Sequence, residues 1–330
     1  DGHQYLDVHN GVGSMVQGHS HPVIVEAVDR RMRLGSHFAA PTEDAYVVAE
    51  LLAERWKLPR WRFVNSGSEA TMDAIRLARA FTGRDGVMKI FGSYHGHHDY
   101  VMVDIGLSVY EMGDRDNYPS LAYGKGIPDA VTQMTIAVPF NDAPALERRL
   151  ERLRAENKLP ACLIMEAALM NCGVILPEPG YLDEVRRITK KFGVLWIVDE
   201  VKTGLTVAAG GATELFGIRP DLVCLAKALG AGIPTGAIGG TDEVWQPVLD
   251  GDVYMVGTFN GNPLAMAAAR ANLERVMTAD AYARLGAINT RLLDGAQGII
   301  DRYRLAAYPI GIESKGGITF ASTKVVDYES

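Results

Sequence analysis

Short apolar runs alternate with amphipathic stretches along most of this chain. "WRFV" (61–64) reads as a strand, and so do "VMKIF" (87–91), "ACLIMEA" (161–167), "VLWIVDEV" (194–201), "DLVCLA" (221–226) and "TGAIGG" (235–240). Several of these runs are apolar nearly throughout, as a strand covered on both faces requires. Helical spacing fills the intervals. In "NSGSEATMDAIRLARAFTG", Ala70, Ala74, Leu77, Ala78 and Phe81 recur on one face, and Gly83 is a natural C-cap. "YLDEVRRITKKFG" has acids in its first turn and lysines in its last, which complements the helix dipole. "NPLAMAAARANLERVM" opens with Asn262 as N-cap and Pro263 at the first helical position. This alternation predicts an α/β fold with a mostly parallel central sheet and flanking helices.

Composition narrows the picture. With 330 residues, 48% hydrophobic and 22% charged, the chain has room for one large domain and a smaller one. The expected division is 38–275 for the large domain. Residues 1–37 and 276–330 would build the small one. A net charge of −7 excludes a basic nucleic-acid surface. No apolar run approaches a membrane span, and no signal peptide is visible. The three cysteines, Cys162, Cys172 and Cys224, have neither CxxC nor zinc spacing, which suits buried free thiols in a reducing cytoplasm. The ends look cut, so the working protein is expected to carry further terminal segments.

Two charges stand out. Asp199 ends the run "VLWIV" and Lys227 follows "LVCLA". In a parallel sheet such strand ends are where ligands bind. A buried ion pair is the plainer reading, yet such a pair often adds little net stability. A lysine that attaches a carbonyl cofactor, with an aspartate against a pyridinium nitrogen, is the alternative. "NSGSEA" (65–70) reads either as a capping turn, with Ser68 as cap and Glu69 in the first turn, or as a phosphate cradle at a helix start. In "GSYHGHHDY" (92–100), His95, His97, His98 and Asp99 lack metal-ligand spacing, so no metal is expected. The glycines there favour a loop presenting Tyr94 to a flat ligand. Glu166 ends another apolar run, with Asn171 in the loop beyond. A structural pairing and a ligand contact are equally open for Glu166. "GAGIPTG" lacks the GxGxxG spacing of a dinucleotide loop.

In their order, "APTE", "NSGSEATMDAIRLARAFTGRD", "YHGHHD", "DEVKTG", the lysine segment and "GTFNGNP" resemble a class III aminotransferase. That is a fold-type-I enzyme using pyridoxal 5′-phosphate, and the nearest branch is that of glutamate-1-semialdehyde 2,1-aminomutase and its aminotransferase relatives. The resemblance implies that Lys227 attaches the cofactor and that Asp199 pairs with its ring nitrogen. Gly67 and Ser68 would hold its phosphate, Tyr94 and Val201 would cover the two ring faces, and Glu166 and Asn171 would lie at the ring edge. Thr258 would reach the cofactor phosphate of a neighbouring subunit, which implies a homodimer with shared sites. The chain departs from the family at Lys202, where glutamine or methionine is usual, at "LT" (205–206), and in a longer polar loop (108–128).

The expected function is amino-group transfer between an amino acid or amine and a carbonyl acceptor. Intramolecular transfer of the aminomutase kind is the alternative. A nicotinamide dehydrogenase is disfavoured by the missing glycine motif, and a non-catalytic relative by the presence of both Asp199 and Lys227.

Overall fold

The computed structural model describes residues 2–108 and 110–330. Asp1 of the expected N-terminal unit and Val109 of the polar loop lie outside the described residues. Seven strands form the main sheet: β1 (Arg60–Val64), β2 (Val87–Ile90), β3 (Thr135–Val138), β4 (Cys162–Met165), β5 (Leu195–Asp199), β6 (Leu222–Leu225) and β7 (Gly236–Gly240). Their order across the sheet is β1-β7-β6-β5-β4-β2-β3. The pairs within β3-β2-β4-β5-β6 are parallel, whereas β7 is antiparallel to both β6 and β1. Only β7 is therefore reversed, and the carboxyl ends of the other six strands share one edge. Each apolar run predicted as a strand is one. β3, with the pattern "TIAV", was not anticipated.

Side-chain alternation explains why the runs are continuous. Trp196 and Val198 of β5 pack into one core, and Leu195 and Ile197 into another on the opposite face. The sheet is thus covered on both sides, in three layers. The helix Gly67–Thr82 buries Ala70, Ala74, Leu77 and Ala78, and Phe81 packs partly against the same core. Its small residues bring the helix backbone close to the sheet. The helix Tyr181–Phe192 runs between β4 and β5 and covers the other face with Val185, Ile188 and Phe192.

One cap differs from expectation. The helix starts at Gly67, and Ser66, not Ser68, is its N-cap, accepting from the Glu69 N–H at 3.1 Å. Glu69 reaches back to the Asn65 N–H at 2.5 Å, so serine and glutamate cap the helix together. Ser68 is left one residue inside the helix, free for another role. Asn262 caps the helix Pro263–Ala271 as the sequence predicts.

Toward the C-terminus, a 25-residue helix (Ala279–Tyr303) packs against a two-stranded antiparallel sheet, β8 (Tyr308–Ile312) and β9 (Lys315–Thr319). Neither strand was predicted, because both are glycine-rich and only partly buried.

Candidate active site

A cavity of about 340 Å³ opens at the carboxyl edge of the sheet. Five of the six strands that end there contribute to its lining: Asn65 to Ser68 after β1, Tyr94 to Gly96 after β2, Glu166 and Asn171 after β4, Asp199, Val201 and Lys202 at β5, and Ala226 and Lys227 after β6. The reversed β7 adds Pro234 and Thr235 from the segment preceding it. Of the nine residues anticipated from sequence, eight therefore meet in one place. Thr258 does not: it is exposed and lines a separate cavity with His37, Phe38 and Tyr46.

Asp199 is held on both oxygens. Oδ1 accepts from the Val201 N–H at 2.9 Å, and Oδ2 lies 2.7 Å from His95 Nδ1. Because an ionised carboxylate only accepts, Nδ1 carries the proton. Burial lowers the His95 pKa against the pull of Asp199, so the ring favours its neutral form. The Ser93 hydroxyl sits 2.9 Å from His95 Nε2. This chain of three fixes the direction in which Asp199 presents its charge. The sequence reading passed over His95 as one of three unhelpful histidines. No metal-holding cluster exists among the described residues.

Lys227 sits in a short turn with φ of 46°, a left-handed conformation that is unfavourable for a side chain bearing a Cβ. Its amine makes no hydrogen bond or ion pair with a described residue. Burial lowers its pKa, with Lys202 adding to that effect while Asp199 and Glu166 oppose it. Glu166 is pushed up to about 8, first by burial and then by the charge of Asp199. Its Oε2 accepts from the Met170 N–H at 3.3 Å and from Asn171 Nδ2 at 3.2 Å. Glu166 thus has the backbone partner of the structural reading and also lines the cavity.

The helix start and the histidine loop meet face to face. Ser68 Oγ accepts from the His97 N–H at 3.1 Å and lies 2.9 Å from His97 Nδ1. Gly96 has φ of 103°, and a Cβ there would stand 2.7 Å from the Ser68 Cα, so only glycine lets the loop close on the helix. A Cβ on Gly67 would meet both Val201 methyls at 3.0 Å. The result is a cradle of backbone N–H groups at a positive helix end, floored by Val201 and walled by Tyr94. An unpartnered amine, a fixed carboxylate and this cradle in one cavity fit a flat, phosphate-bearing carbonyl cofactor.

Residues 1–317 match the family described as aminotransferase class-III, and the chain belongs to that family. The family works with pyridoxal phosphate, in agreement with the chemistry of the cavity. A glutamate-1-semialdehyde 2,1-aminomutase of Anaeromyxobacter dehalogenans (strain 2CP-C) is 44% identical over 298 residues, 89% of this chain and 66% of the relative. The chain thus spans about two thirds of that relative's length. An omega-transaminase from Sphaerobacter thermophilus superposes with a TM-score of 0.90 at 34% identity, over 97% of this chain and 73% of that one. A glutamate-1-semialdehyde aminomutase variant from Pseudomonas aeruginosa PAO1, solved in complex with PMP, gives 0.89 at 28% identity, over 99% and 72%. No helix of the described residues is long and apolar enough to cross a membrane.

Proposed function

We propose that this cavity binds pyridoxal 5′-phosphate and transfers an amino group from an amino acid or amine to a carbonyl acceptor. The observation that carries the reading is Lys227, an unpartnered amine of lowered pKa in the same cavity as the fixed Asp199 carboxylate. When bound, the cofactor supplies an electron sink for the carbon next to the amino nitrogen. Lys227 would be its covalent attachment point, and its amine, whose pKa burial lowers, would also move the proton. Asp199, oriented by His95, holds a proton on the ring nitrogen. Gly67 and Ser68 receive the phosphate at the helix start. Tyr94 and Val201 cover the ring, and Glu166 and Asn171 sit at its edge. The three free thiols suit a reducing cytoplasm.

Borohydride reduction of the protein loaded with the cofactor, followed by peptide mapping, tests the assignment. The adduct is expected on Lys227. A colourless protein, or an adduct on Lys89, Lys202 or Lys315 instead, overturns it.

The 44% identical relative favours a second reading, transfer within one molecule. Conversion of a single amino-oxo acid with no added acceptor distinguishes that reading from a two-substrate exchange.

Thr258, exposed and outside its own chain's cavity, is read as serving a second copy across a twofold interface. Mixing Lys227→Ala with Thr258→Ala subunits then leaves one hybrid site with both lesions and the other intact. Hybrids are expected to recover up to about half the wild-type activity per dimer. No recovery above the parents places Thr258 outside the partner's site.

A further inference from the structure

Two lysines that the transfer chemistry does not use stand at this cavity, Lys202 in its lining and Lys315 beside it. Lys202 lines it, and its Nζ donates to the Met170 carbonyl at 2.8 Å. An ammonium has three protons to give, so that single bond leaves it capacity for another acceptor. Lys315 is the first residue of β9, and its amine makes no hydrogen bond or ion pair with a described residue. A Cβ built on Gly13 would stand 3.8 Å from Lys315 Nζ, and the next residue, Ser14, lines the cavity. The β8–β9 hairpin therefore brings this amine beside the N-terminal segment that reaches the cavity, near enough to feel the charges of Lys202, Lys227 and Glu166. Burial lowers Lys315 to about 8, and its remaining influences are the charges of Lys202, Lys227 and Glu166.

The balance of charge here is unfinished. Two amines, Lys202 and Lys227, line the cavity with two carboxyls, and a third, Lys315, stands beside it. Asp199 is committed to His95 and the Val201 N–H. Glu166, raised to about 8, is mostly uncharged at neutral pH. Lys227 is assigned to the cofactor, which leaves Lys202 and Lys315 as clustered cations without a counter-ion. Clustered, half-buried charge of one sign is unfavourable unless an opposite charge arrives. The cofactor phosphate is placed elsewhere, at the Gly67–Ser68 helix start, whereas Lys202 bonds the Met170 carbonyl and Lys315 lies beside Gly13.

We infer that Lys202 and Lys315 together bind a carboxylate of the substrate, so that the amino group comes from a small carboxylate-bearing amine rather than from a simple amine. This rests on the reading of the cavity as an amino-transfer site. About 340 Å³ shared with the cofactor leaves space only for a small substrate.

The test uses matched donors with and without the carboxylate: alanine against ethylamine, 3-aminobutanoate against 2-aminopropane, and 4-aminobutanoate against propylamine. Wild-type protein loaded with cofactor is expected to prefer the acid by about 100-fold in kcat/KM in at least one pair, as two charge-assisted contacts allow. Lys202→Met and Lys315→Met should each cut that ratio about 10-fold, mainly through KM. Comparing two donors in one variant cancels any effect of the lost charge on Lys227. Lys315→Arg, which keeps the charge, should retain the ratio to within about 3-fold. Succinate should perturb the visible absorption of the loaded wild type, with a Kd raised about 10-fold in either Met variant. A yellow protein whose ratios are near one, or are unmoved by both Met substitutions, overturns the inference alone. A colourless protein overturns the amino-transfer reading and this inference with it.

Discussion

Lys89 and Lys227 belong to different regions of one sheet and share one property. Both have pKa values lowered by burial, Lys89 to about 7. Lys89 lies in the middle of β2, 0% exposed, with Ala137 and Ile164 beside it on the neighbouring strands. Its Nζ donates to the Val103 carbonyl at 2.6 Å, and the charge of nearby Asp104 favours its protonated form. Asp104 is in turn fixed by the Ser120 and Leu121 N–H groups at 3.2 and 2.8 Å. Lys227 has no such acceptor and faces a cavity. A lowered lysine pKa thus reports burial. What separates a reactive lysine from a structural one is the missing protein partner and the open space beside it.

The comparison breaks most sharply on activity. Lys227→Ala is expected to lower turnover by about four orders of magnitude or more, because both the covalent attachment and the mobile base disappear. Lys89→Met should leave kcat within about 3-fold, having removed nothing from the cavity. Comparable losses in both variants, measured by steady-state kinetics at equal cofactor loading, would end the distinction.

Asp199→Asn comes next. The amide keeps its place beside His95 but carries no charge to hold the ring proton. A fall in kcat of about 10²–10³ is expected, with the visible cofactor band still present. His95→Gln should cost less, about 10-fold, since it loosens the direction of Asp199 without removing its charge. Should the histidine variant be the worse of the two, His95 acts directly on the reaction and the assigned order is wrong.

The smallest effect is on stability. Lys89→Met leaves the Val103 carbonyl without its donor, at a cost of about 1–3 kcal/mol. Its pH dependence has a definite sign. Native Lys89 releases its proton near pH 7, and the unfolded chain does so near 10.4. Between those values the unfolded chain holds more protons at this site, so the Lys89 contribution to stability rises with pH. Urea midpoints at pH 7 and pH 9 should therefore separate by more in the wild type than in Lys89→Met. Equal separations would mean that Lys89 keeps an ordinary pKa in the folded protein.

The fold was legible wherever the chain wrote its environment locally. β2, β4, β5 and β6 are buried on both faces and read as unbroken apolar runs. The helix Pro263–Ala271 announced itself through its cap and its proline. β8 and β9 were missed because a half-exposed, glycine-rich hairpin needs no apolar run; its stability comes from the long helix packed against it. The cap lies at Ser66, two residues before the expected Ser68, because two serines flanking a glycine offer the same cue.

By itself, the sequence determined six of the seven strands of the main sheet and that Asp199 and Lys227 lie at carboxyl strand ends. A charge that closes an apolar run is a local signal, and the side-chain period of a strand carries it without reference to the rest of the chain. The tertiary structure alone decided who surrounds them. His95 meets Asp199 across 104 positions, and Lys315 comes near Lys202 and Lys227 from outside the main sheet altogether. Such partners are chosen by strand order and by the packing of distant segments. A histidine in a loop or a lysine in a weak strand has the same local pattern whether it faces a carboxylate or water.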